Sequence, residues 1–339
     1  MSTGATISAA VLDGFDTRLE SQGVDPYDLG LRCGIPERAW DMAGLSVPLT
    51  GFVRLLENGS NAGNDPSFGW EMGRRFDLLA LGELGEAILK APTLGAALTT
   101  FARYLRLIQD TSELKLAVDD DMAILSYRIL DPDIWPRQQD AEFTLSVVHT
   151  LIEACLGADW RPFALTFEHG PCRAEQVWNE QIGTHCTFGH DTNSMVIPVA
   201  ILDAAMPTSE RASWCRHADL LGHALIERNR ARPMAARVAS ALLASFGRTP
   251  ADQRTIARTL GLSCRTMHRR LEAEGTRYSE LLADCRLRVA QSSIVQGRKT
   301  LSQIAFDLGY SDQSAFCRAF KQSCGVTPSS FQASQRPGA

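Results

Sequence analysis

The sequence predicts two domains of different fold class: an α+β (mixed α/β) domain in the N-terminal two thirds and an all-α domain in the C-terminal third. Between residues 114 and 129, apolar and polar residues alternate as they do in β-strands, and segments with helical spacing lie on both sides. In the C-terminal third, a short helical unit occurs twice. A chain of 339 residues with 45% hydrophobic residues is long enough for two cores.

Helices are predicted in the N-terminal domain where apolar residues recur at three- or four-residue spacing. The first carries Phe15 and Leu19 and is expected to end at Gly23. The second covers residues 52–57 and is expected to end in the turn-forming cluster at residues 58–61. Further helices are predicted on either side of Pro92, over about 18 residues from Asp140, and around Val177 and Trp178.

Strands are predicted in the same domain where apolar and polar residues alternate. Residues 114–118 and 125–129 flank the acidic turn at residues 119–121, which indicates a β-hairpin. Residues 163–167 and 195–198 are expected to be two further strands. Helices and short strands in this mixed order are typical of an α+β domain.

The net charge of −5 conceals an uneven distribution of charge along the chain. Residues 230–339 contain 17 Lys and Arg residues against 7 Asp and Glu residues, a net charge of +10. The first 229 residues contain 17 against 32, a net charge of −15. This asymmetry predicts that the C-terminal domain meets a polyanion and the N-terminal domain does not.

One unit is present twice in the C-terminal domain. Residues 255–263 are matched 48 positions later by residues 303–311, and both follow the pattern Ile-Ala-x-x-Leu-Gly-x-Ser. The glycine can adopt the left-handed conformation that ends a first helix, and Ser263 and Ser311 can cap a second one. Two helix-turn-helix units are therefore predicted, at about residues 253–274 and 301–323.

The second helix of each unit is predicted to present a polar face. Met267 and Leu271 are four residues apart and face inward, as do Phe316 and Phe320 in the second unit. A recognition helix enters the major groove of DNA with outward residues near its N-terminal half. In these two helices the outward residues are Arg265, His268, Arg269, Gln313, Ser314, Cys317 and Arg318.

The predicted C-terminal domain, residues 233–335, resembles the DNA-binding domain of the AraC/XylS family of bacterial transcription regulators from near Pro233 to Phe331. The residues that carry this resemblance are Ile304-Ala305-x-x-Leu308-Gly309-Tyr310-Ser311-Asp312-Gln313-Ser314-Ala315-Phe316-x-Arg318-Ala319-Phe320-Lys321 and Gly325-Val326-Thr327-Pro328. The resemblance implies that residues 278–297 form a long helix joining the two units. It also implies that both recognition helices bind one face of double-stranded DNA, in major-groove segments about 34 Å apart.

The resemblance further implies roles for individual side chains. Base-reading candidates, among which Arg suits guanine and Gln suits adenine, are Arg265, His268, Arg269, Gln313, Ser314 and Arg318. Candidates for phosphate contacts, which position a protein without specifying sequence, are Arg277, Arg298, Lys299 and Lys321. Arg286 lies in the joining helix and is expected to form an internal ion pair rather than to contact DNA.

Within the predicted N-terminal domain, residues 1–206, a stretch from about residue 20 to 205 resembles the N-terminal ligand-binding and dimerisation domain of an AraC subfamily labelled the arabinose-binding type. The segments that carry this resemblance are Leu81-Gly82-x-Leu84-Gly85, Ala91-Pro92-Thr93-Leu94-Gly95-x-Ala97-Leu98 and Trp160-Arg161-Pro162-Phe163. It implies a small-molecule effector of unknown identity and a homodimer. Sugar binding is not implied, because the hairpins of a cupin barrel are missing. The polar segment 207–232 is expected to be a linker.

Other site chemistries have less support in the sequence. Cys172, His185, Cys186 and His190 have residue types that suit zinc, but a C-x₂₋₄-C pair is missing and adjacent strand residues point to opposite faces. The sequence has neither a hydrolase G-x-S-x-G elbow nor a nucleotide-binding glycine motif. We therefore expect no catalytic residue, metal or cofactor. Residues that could line an apolar pocket, although each aromatic suits an ordinary core, are Tyr104, Trp135, Arg137, Trp160 and Trp178.

These observations predict a ligand-responsive transcription regulator that is not an enzyme and that activates a neighbouring metabolic operon through RNA polymerase. We expect it in the cytoplasm and not in a membrane, because a secretory signal and a long apolar span are missing and nine scattered cysteines suit a reducing compartment. Two alternatives stay open. One is a DNA-binding module fused to an enzymatic domain with an acceptor cysteine, and the other is a transcription factor without an effector.

Overall fold

The computed structural model describes residues 4–171 and 182–334, and the chain divides into two compact units. The first unit comprises Met1–Ile129 and Ile134–Glu227, and the second comprises Leu130–Asp133 and Arg228–Ala339. The first unit mixes helices and strands, whereas the described residues after Arg228 form helices, so the predicted fold classes are confirmed. Within the described ranges, we find no helix with the length and apolar character needed to span a membrane.

The first unit is built on a five-stranded sheet in the order β3-β4-β7-β5-β6. Its strands are β3 (Ser112–Asp119), β4 (Met122–Ile129), β5 (Ala164–Thr166), β6 (Cys186–Thr187) and β7 (Asn193–Pro198). Antiparallel pairing joins all neighbours except β5 and β6, which are parallel. A separate antiparallel pair is formed by β1 (Thr6–Ser8) and β2 (Ser46–Pro48).

The predicted hairpin is confirmed as β3 and β4, which pair from Ser112 opposite Ile129 to Asp119 opposite Met122. Alternate residues of β4, among them Leu125 and Tyr127, are buried. This is the pattern that the sequence shows, because successive side chains of a strand point to opposite faces of the sheet.

In the described residues up to 231, the chain also forms eight helices, with short 3₁₀ turns between several of them. They are α1 (Phe15–Ser21), α2 (Pro26–Arg32), α3 (Leu49–Ala62), α4 (Phe68–Arg75), α5 (Glu83–Leu89), α6 (Leu94–Ile108), α7 (Gln138–Leu156) and α8 (Arg211–Ala231). The longest helix wholly within the first unit is α7, and its first three turns are buried on every side. Polar residues in those turns are therefore inside the unit.

Helices α4 and α7 approach each other closely because two glycines face the contact. A Cβ atom at Gly69 or Gly73 would overlap the carbonyl oxygen of Gln139 or Phe143, respectively. The hydroxyl of Ser146 donates a hydrogen bond of 2.7 Å to the carbonyl oxygen of Trp70 across the same contact. These glycines therefore set the distance between the two helices.

Of three expectations for the first unit, one is wrong, one stays a prediction and one lies outside the described residues. Helix α3 continues through residues 58–61, so the predicted turn there is wrong. A Cβ atom at Gly59 would lie 3.0 Å from the Phe68 ring, and this packing outweighs the turn preference of the local sequence. Most of residues 207–232 lie in α8, and the linker expected there stays a prediction. The helix expected around Trp178 lies outside the described residues.

The second unit consists of helices around one hydrophobic core. These are α9 (Met234–Ser245), α10 (Gln253–Thr259), α11 (Cys264–Ala273), α12 (Tyr278–Gln296), α13 (Leu301–Asp307), α14 (Gln313–Cys324) and α15 (Pro328–Ser334). Its core includes the fully buried side chains of Val238, Met267, Ile294 and Phe316. The joining helix α12 has 19 residues, as the resemblance implies.

Candidate functional site

Two helix-turn-helix units with matching turns lie in the second unit. Gly261 follows α10 with φ +67°, and Gly309 follows α13 with φ +74°, a backbone region that favours glycine. The next amide closes the turn in both copies: Leu262 N–H donates to the Ala257 carbonyl and Tyr310 N–H to the Ala305 carbonyl, each at 2.9 Å. The repeat in the sequence is thus a repeat of three-dimensional structure.

The two recognition helices are capped by different residue types. Ser263 caps α11, because its hydroxyl oxygen accepts a hydrogen bond of 3.1 Å from Thr266 N–H. The prediction that Ser311 caps the second helix is wrong: Asp312 caps α14, and its carboxylate accepts a 2.7 Å bond from Ala315 N–H. The second turn is one residue longer than the first, so Ser311 lies within it and donates to Asp312.

The carboxylate of Asp312 stays ionised at the start of the second recognition helix. Hydrogen bonds from the backbone N–H of Ala315 and from the Ser311 hydroxyl lower the pKa of Asp312 below its usual value. The positive charge of Arg318 contributes in the same direction. A carboxylate at a helix N-terminus also interacts favourably with the helix dipole.

The proposed base-reading side chains lie on the outside of α11 and α14. All six, namely Arg265, His268, Arg269, Gln313, Ser314 and Arg318, are exposed. Met267, Leu271, Phe316 and Phe320 are buried beneath them. Because α14 begins 49 positions after α11, Arg269 and Arg318 occupy equivalent positions, each two residues after an inward side chain. We call the six exposed residues the recognition faces.

The arginines of the recognition faces are available to an external partner. Within the described part of the chain, Arg265, Arg269 and Arg318 form no ion pair with an acidic residue. Two other members of the faces have local partners. His268 Nδ1 lies 3.3 Å from a carboxylate oxygen of Glu272, and the side-chain oxygen of Gln313 accepts a 2.6 Å hydrogen bond from Ser302. The amide nitrogen of Gln313 takes no part in that bond.

The proposed phosphate-contacting residues have two kinds of environment. Arg277, Arg298 and Lys321 are exposed. Lys299 is half-buried and its Nζ lies 2.7 Å from Asp307, so this lysine links the segment just before α13 to the last residue of that helix. A phosphate contact by Lys299 would have to compete with that ion pair.

Arg286 is an internal residue, but its partners are carbonyl groups rather than an acid. Its Nε donates to the Leu308 carbonyl at 2.8 Å and its Nη2 to the Gly309 carbonyl at 3.2 Å. The guanidinium also lies 4.7 Å from the centre of the Tyr310 ring. Arg286 therefore fastens the turn of the second helix-turn-helix unit to the joining helix.

Arg254 and Arg258 are two further exposed arginines, on α10, and the sequence did not predict them as candidates for DNA contact. Asp252 caps this helix and accepts hydrogen bonds from Arg254 N–H and Thr255 N–H at 2.9 and 3.0 Å. The sequence feature that could have indicated them is their position on the polar side of α10, whose other side carries the buried residues Ile256 and Ala257.

The residues proposed to line a pocket in the first unit have different partners where the structure describes them. Arg137 lies 5.7 Å from the Trp135 ring. Tyr104 donates to the Ala218 carbonyl, and Trp160 packs against His149 with ring centres 5.3 Å apart. Trp178 lies outside the described residues, as does Cys172 of the zinc alternative. Of the latter set, Cys186 is buried and His190 shares a 2.8 Å hydrogen bond with Thr187.

A buried polar network lies instead where β4 meets α7. The Tyr127 hydroxyl donates to Asp140 at 2.7 Å and accepts from Gln109 at 2.7 Å. Arg137 donates two hydrogen bonds to the Glu168 carboxylate, at 2.6 and 3.0 Å. Burial raises the pKa of Asp140 to about 7, despite the bond from Tyr127 and the charge of Arg137.

Each of the two units contains a segment that matches a known protein family. Residues 23–206 match the model described as the arabinose-binding domain of AraC transcription regulators, and residues 256–334 match a helix-turn-helix domain. The first match covers more than half of the chain. The chain belongs to the AraC family of transcription regulators. As an AraC-family protein it is a helix-turn-helix regulator, and its family implies DNA binding.

The relatives of this AraC-family protein include chains that are named as regulators. It is 28% identical to the HTH-type transcriptional regulator VirS of Mycobacterium tuberculosis, over 98% of both chains. It is 27% identical to the ornithine utilization regulator of Pseudomonas aeruginosa, over 83% of both chains. The crystal structure of CdpR from Pseudomonas aeruginosa is 20% identical and covers 95% of this chain and 98% of its own, with a TM-score of 0.46. The named relatives are transcription regulators rather than enzymes.

Proposed function

We propose that the two recognition faces of this AraC-family protein read the bases of double-stranded DNA. The observation that carries this proposal is the equivalent placement of Arg269 and Arg318, exposed on two helices with matching turns. A guanidinium can form a bidentate pair with guanine in the major groove. Arg277, Arg298 and Lys321 would bind phosphates and fix the position of the protein on the duplex.

Selection from a library of random DNA duplexes tests this proposal even though the operator sequence is unknown. The full chain is incubated with the library, bound duplexes are recovered, and the cycle is repeated. We expect a defined sequence to be enriched, with specific affinity that falls as salt concentration rises. Recovery of duplexes without any common sequence would contradict base reading by the recognition faces.

The first unit is proposed to bind a small-molecule effector and thereby to change the DNA affinity of the second. The match of residues 23–206 to a ligand-binding domain supports this, as does the buried polar network. The name of the ornithine utilization regulator links that relative to a small metabolite. Effector and DNA would be coupled reciprocally, so that each changes the affinity for the other by the same factor.

Thermal unfolding of the full chain against a panel of metabolites tests effector binding. A compound that binds the folded chain raises its unfolding temperature in a concentration-dependent way. The same compound should change the affinity for the selected DNA. If every compound that stabilises the chain leaves DNA affinity unchanged, the protein is an effector-independent factor and this part of the proposal fails.

The remaining parts of the proposal concern assembly and output. We propose a homodimer in the cytoplasm that activates a neighbouring metabolic operon together with RNA polymerase; the family of the two domains supports this. Light scattering of the purified chain measures its molar mass in solution, and twice the mass of one chain is expected for a dimer. A reporter gene behind the selected DNA measures activation: transcription that falls when the protein is present would show a repressor instead.

A further inference from the structure

Strand β3 is the long edge of the sheet in the first unit. It comes first in the order β3-β4-β7-β5-β6, and within the described residues it pairs with β4 alone. It has eight residues, none of them glycine or proline, whereas β6 at the other edge has two. Proteins usually keep edge strands short or interrupt them, because an exposed edge pairs readily with another strand. A long and regular edge is therefore a candidate interface.

The register of the hairpin identifies the backbone groups of β3 that point away from β4. Asp119 and Met122 flank a two-residue turn, so they form a hydrogen-bonded pair, and such pairs alternate along an antiparallel ladder. The odd-numbered residues of β3 therefore exchange hydrogen bonds with β4. The N–H and C=O groups of Leu114, Leu116 and Val118 point to the open side, and we call them the outward backbone groups.

The other side of β4 supports this assignment. Val199 N–H donates a 2.8 Å hydrogen bond to the Asp121 carbonyl, so the odd-numbered residues from 121 onward face β7 and the even-numbered ones face β3. Across the described part of the chain, the outward backbone groups of Leu114, Leu116 and Val118 have no hydrogen-bond partner. Water or a second strand can satisfy such groups.

The side chains of β3 form an apolar row that runs out of the core. Leu114 is buried, Leu116 is half-buried and Val118 is 59% exposed, although all three lie on one face of the strand. The other face carries the exposed side chains of Lys115 and Asp119, and over the described ranges neither of them forms an ion pair. Apolar surface and two opposite charges therefore lie beside the outward backbone groups.

We propose that β3 pairs with β3 of a second copy of this chain, in antiparallel orientation, with a two-fold axis beside Ala117. This inference rests on the homodimer of the proposed function and names the surface that forms it. Leu116 then lies opposite Val118 of the second copy, and their outward backbone groups exchange both of their hydrogen bonds. Because the axis repeats every contact, this pair occurs on both sides of it.

Charge selects this register from the others that the edge allows. With the axis at Ala117, Lys115 lies opposite Asp119 of the second copy, and opposite charges in a cross-strand pair are stabilising. An axis at Lys115 would place the two lysines opposite each other, and an axis at Leu116 would place Glu113 opposite Asp119. A lysine on an edge usually hinders pairing, and in the proposed register an acid neutralises it.

A second copy suits this edge better than an unrelated extended peptide. Such a peptide could form the same backbone hydrogen bonds. The second copy in addition supplies an acid for Lys115 and an apolar side chain for Val118. One pair of short strands buries less than the roughly 1,200–2,000 Å² of a stable interface, so we expect a dimer that dissociates at micromolar concentration.

Sedimentation velocity of the full chain over a concentration series tests the proposal. Lys115→Glu places an acid opposite Asp119, and Asp119→Lys places a lysine opposite Lys115. We expect each variant alone to dimerise roughly 10-fold more weakly than the wild type, because attraction becomes repulsion on both sides of the axis. An equimolar mixture of the two variants should dimerise again, since both charge pairs of the mixed dimer are then of opposite sign.

Two controls separate this interface from general effects of charge and folding. Glu20→Lys makes the same change of charge as Asp119→Lys at an exposed position on α1, and it should dimerise like the wild type. Thermal unfolding shows whether each variant is folded. If a charge variant does not fold, Val118→Pro replaces it. This change removes an outward N–H without removing a hydrogen bond to β4, and it should also weaken the dimer.

The possible failures are distinguishable. A wild-type chain that stays monomeric throughout the series would overturn both this interface and the homodimer, and would leave a peptide of another protein as the occupant of the edge. A wild-type dimer that neither charge variant weakens, or that mixing the variants does not restore, would overturn this interface alone. Affinity for the selected DNA is measured on the same samples, so base reading is judged separately.

Discussion

Arg269 and Arg318 have the same role in two helices if the recognition faces read bases. Changing either one to alanine should cost about 1–3 kcal/mol at the selected site and relax the preference for the base it contacts. Arg270→Ala is the matched control, because Arg270 is exposed on the same helix but its counterpart in the second unit is Ala319. Gel-shift titrations measure all three. Unchanged specific affinity in both arginine variants would contradict the assignment.

Asp140 contributes to the pH dependence of the stability of the first unit. Its pKa is raised by burial to about 7 in the folded chain, whereas an exposed aspartate titrates near 3.9. The folded state therefore binds more protons than the unfolded state between these values, and the free energy of unfolding falls as pH rises through them. Asparagine does not ionise and still accepts a hydrogen bond from Tyr127.

We therefore expect Asp140→Asn to lose this component of the pH dependence and to be more stable than the wild type at about pH 8. Urea unfolding at several pH values between about 4 and 8 measures it. Burial lowers the pKa of His149 to about 4, which acts in the opposite direction, but it does so in both proteins. Equal slopes for wild type and variant would show that Asp140 is ionised throughout.

At the scale of elements, the close contact of α4 and α7 depends on the absence of a side chain. Gly73→Ala should lower the free energy of unfolding by about 1–3 kcal/mol, because its Cβ would overlap the Phe143 carbonyl and lie 2.7 Å from Ser146 Cβ. Gly222→Ala is the control: only the Tyr104 hydroxyl, at 3.7 Å, is near it. There we expect a gain of about 0.5–1 kcal/mol, since alanine favours a helix. Urea unfolding measures both variants, and the same change in the free energy of unfolding for Gly73→Ala and Gly222→Ala would contradict this packing.

The joining helix positions the second helix-turn-helix unit through Arg286. Removing its guanidinium leaves the Leu308 and Gly309 carbonyls without their donor, so Arg286→Ala should lower stability by about 1–3 kcal/mol. We expect Arg286→Lys to restore part of this, because an ammonium can donate to one carbonyl. Hydrogen exchange at the turn of residues 308–310 measures the local effect. If the amides of residues 308–310 exchange as slowly in Arg286→Ala as in the wild type, the turn is stable without this residue.

The elements that the sequence predicts well are those whose signal is local. The hairpin of β3 and β4 follows from alternation, and α7 from a long apolar periodicity. Two of the wrong predictions have causes that a local pattern does not show. Gly59 continues a helix because Phe68 packs against it, and Asp312 replaces Ser311 as a cap because the second turn is longer by one residue.

At the scale of the whole molecule, the uneven distribution of charge and the repeated helix-turn-helix unit predict that the C-terminal part binds DNA. The residues of the recognition faces could be listed from helical periodicity. The buried polar network could not be listed. Arg137 and Glu168 meet only because the order β4-β7-β5 brings distant parts of the chain together, and no local pattern in the sequence records that order. Arg286 and Leu308 are 22 residues apart in sequence, so the hydrogen bonds of Arg286 to the turn after α13 also depend on how the helices pack.

The most direct test of base reading by both helices is to map which bases depend on which helix. The wild-type chain, Arg269→Ala and Arg318→Ala are each taken through selection from the same random duplex library. We predict that the wild type selects two elements about 10 base pairs apart and that each variant loses base preference in a different one. If both variants lose preference in the same element, or neither does, the two helices do not read DNA as a pair.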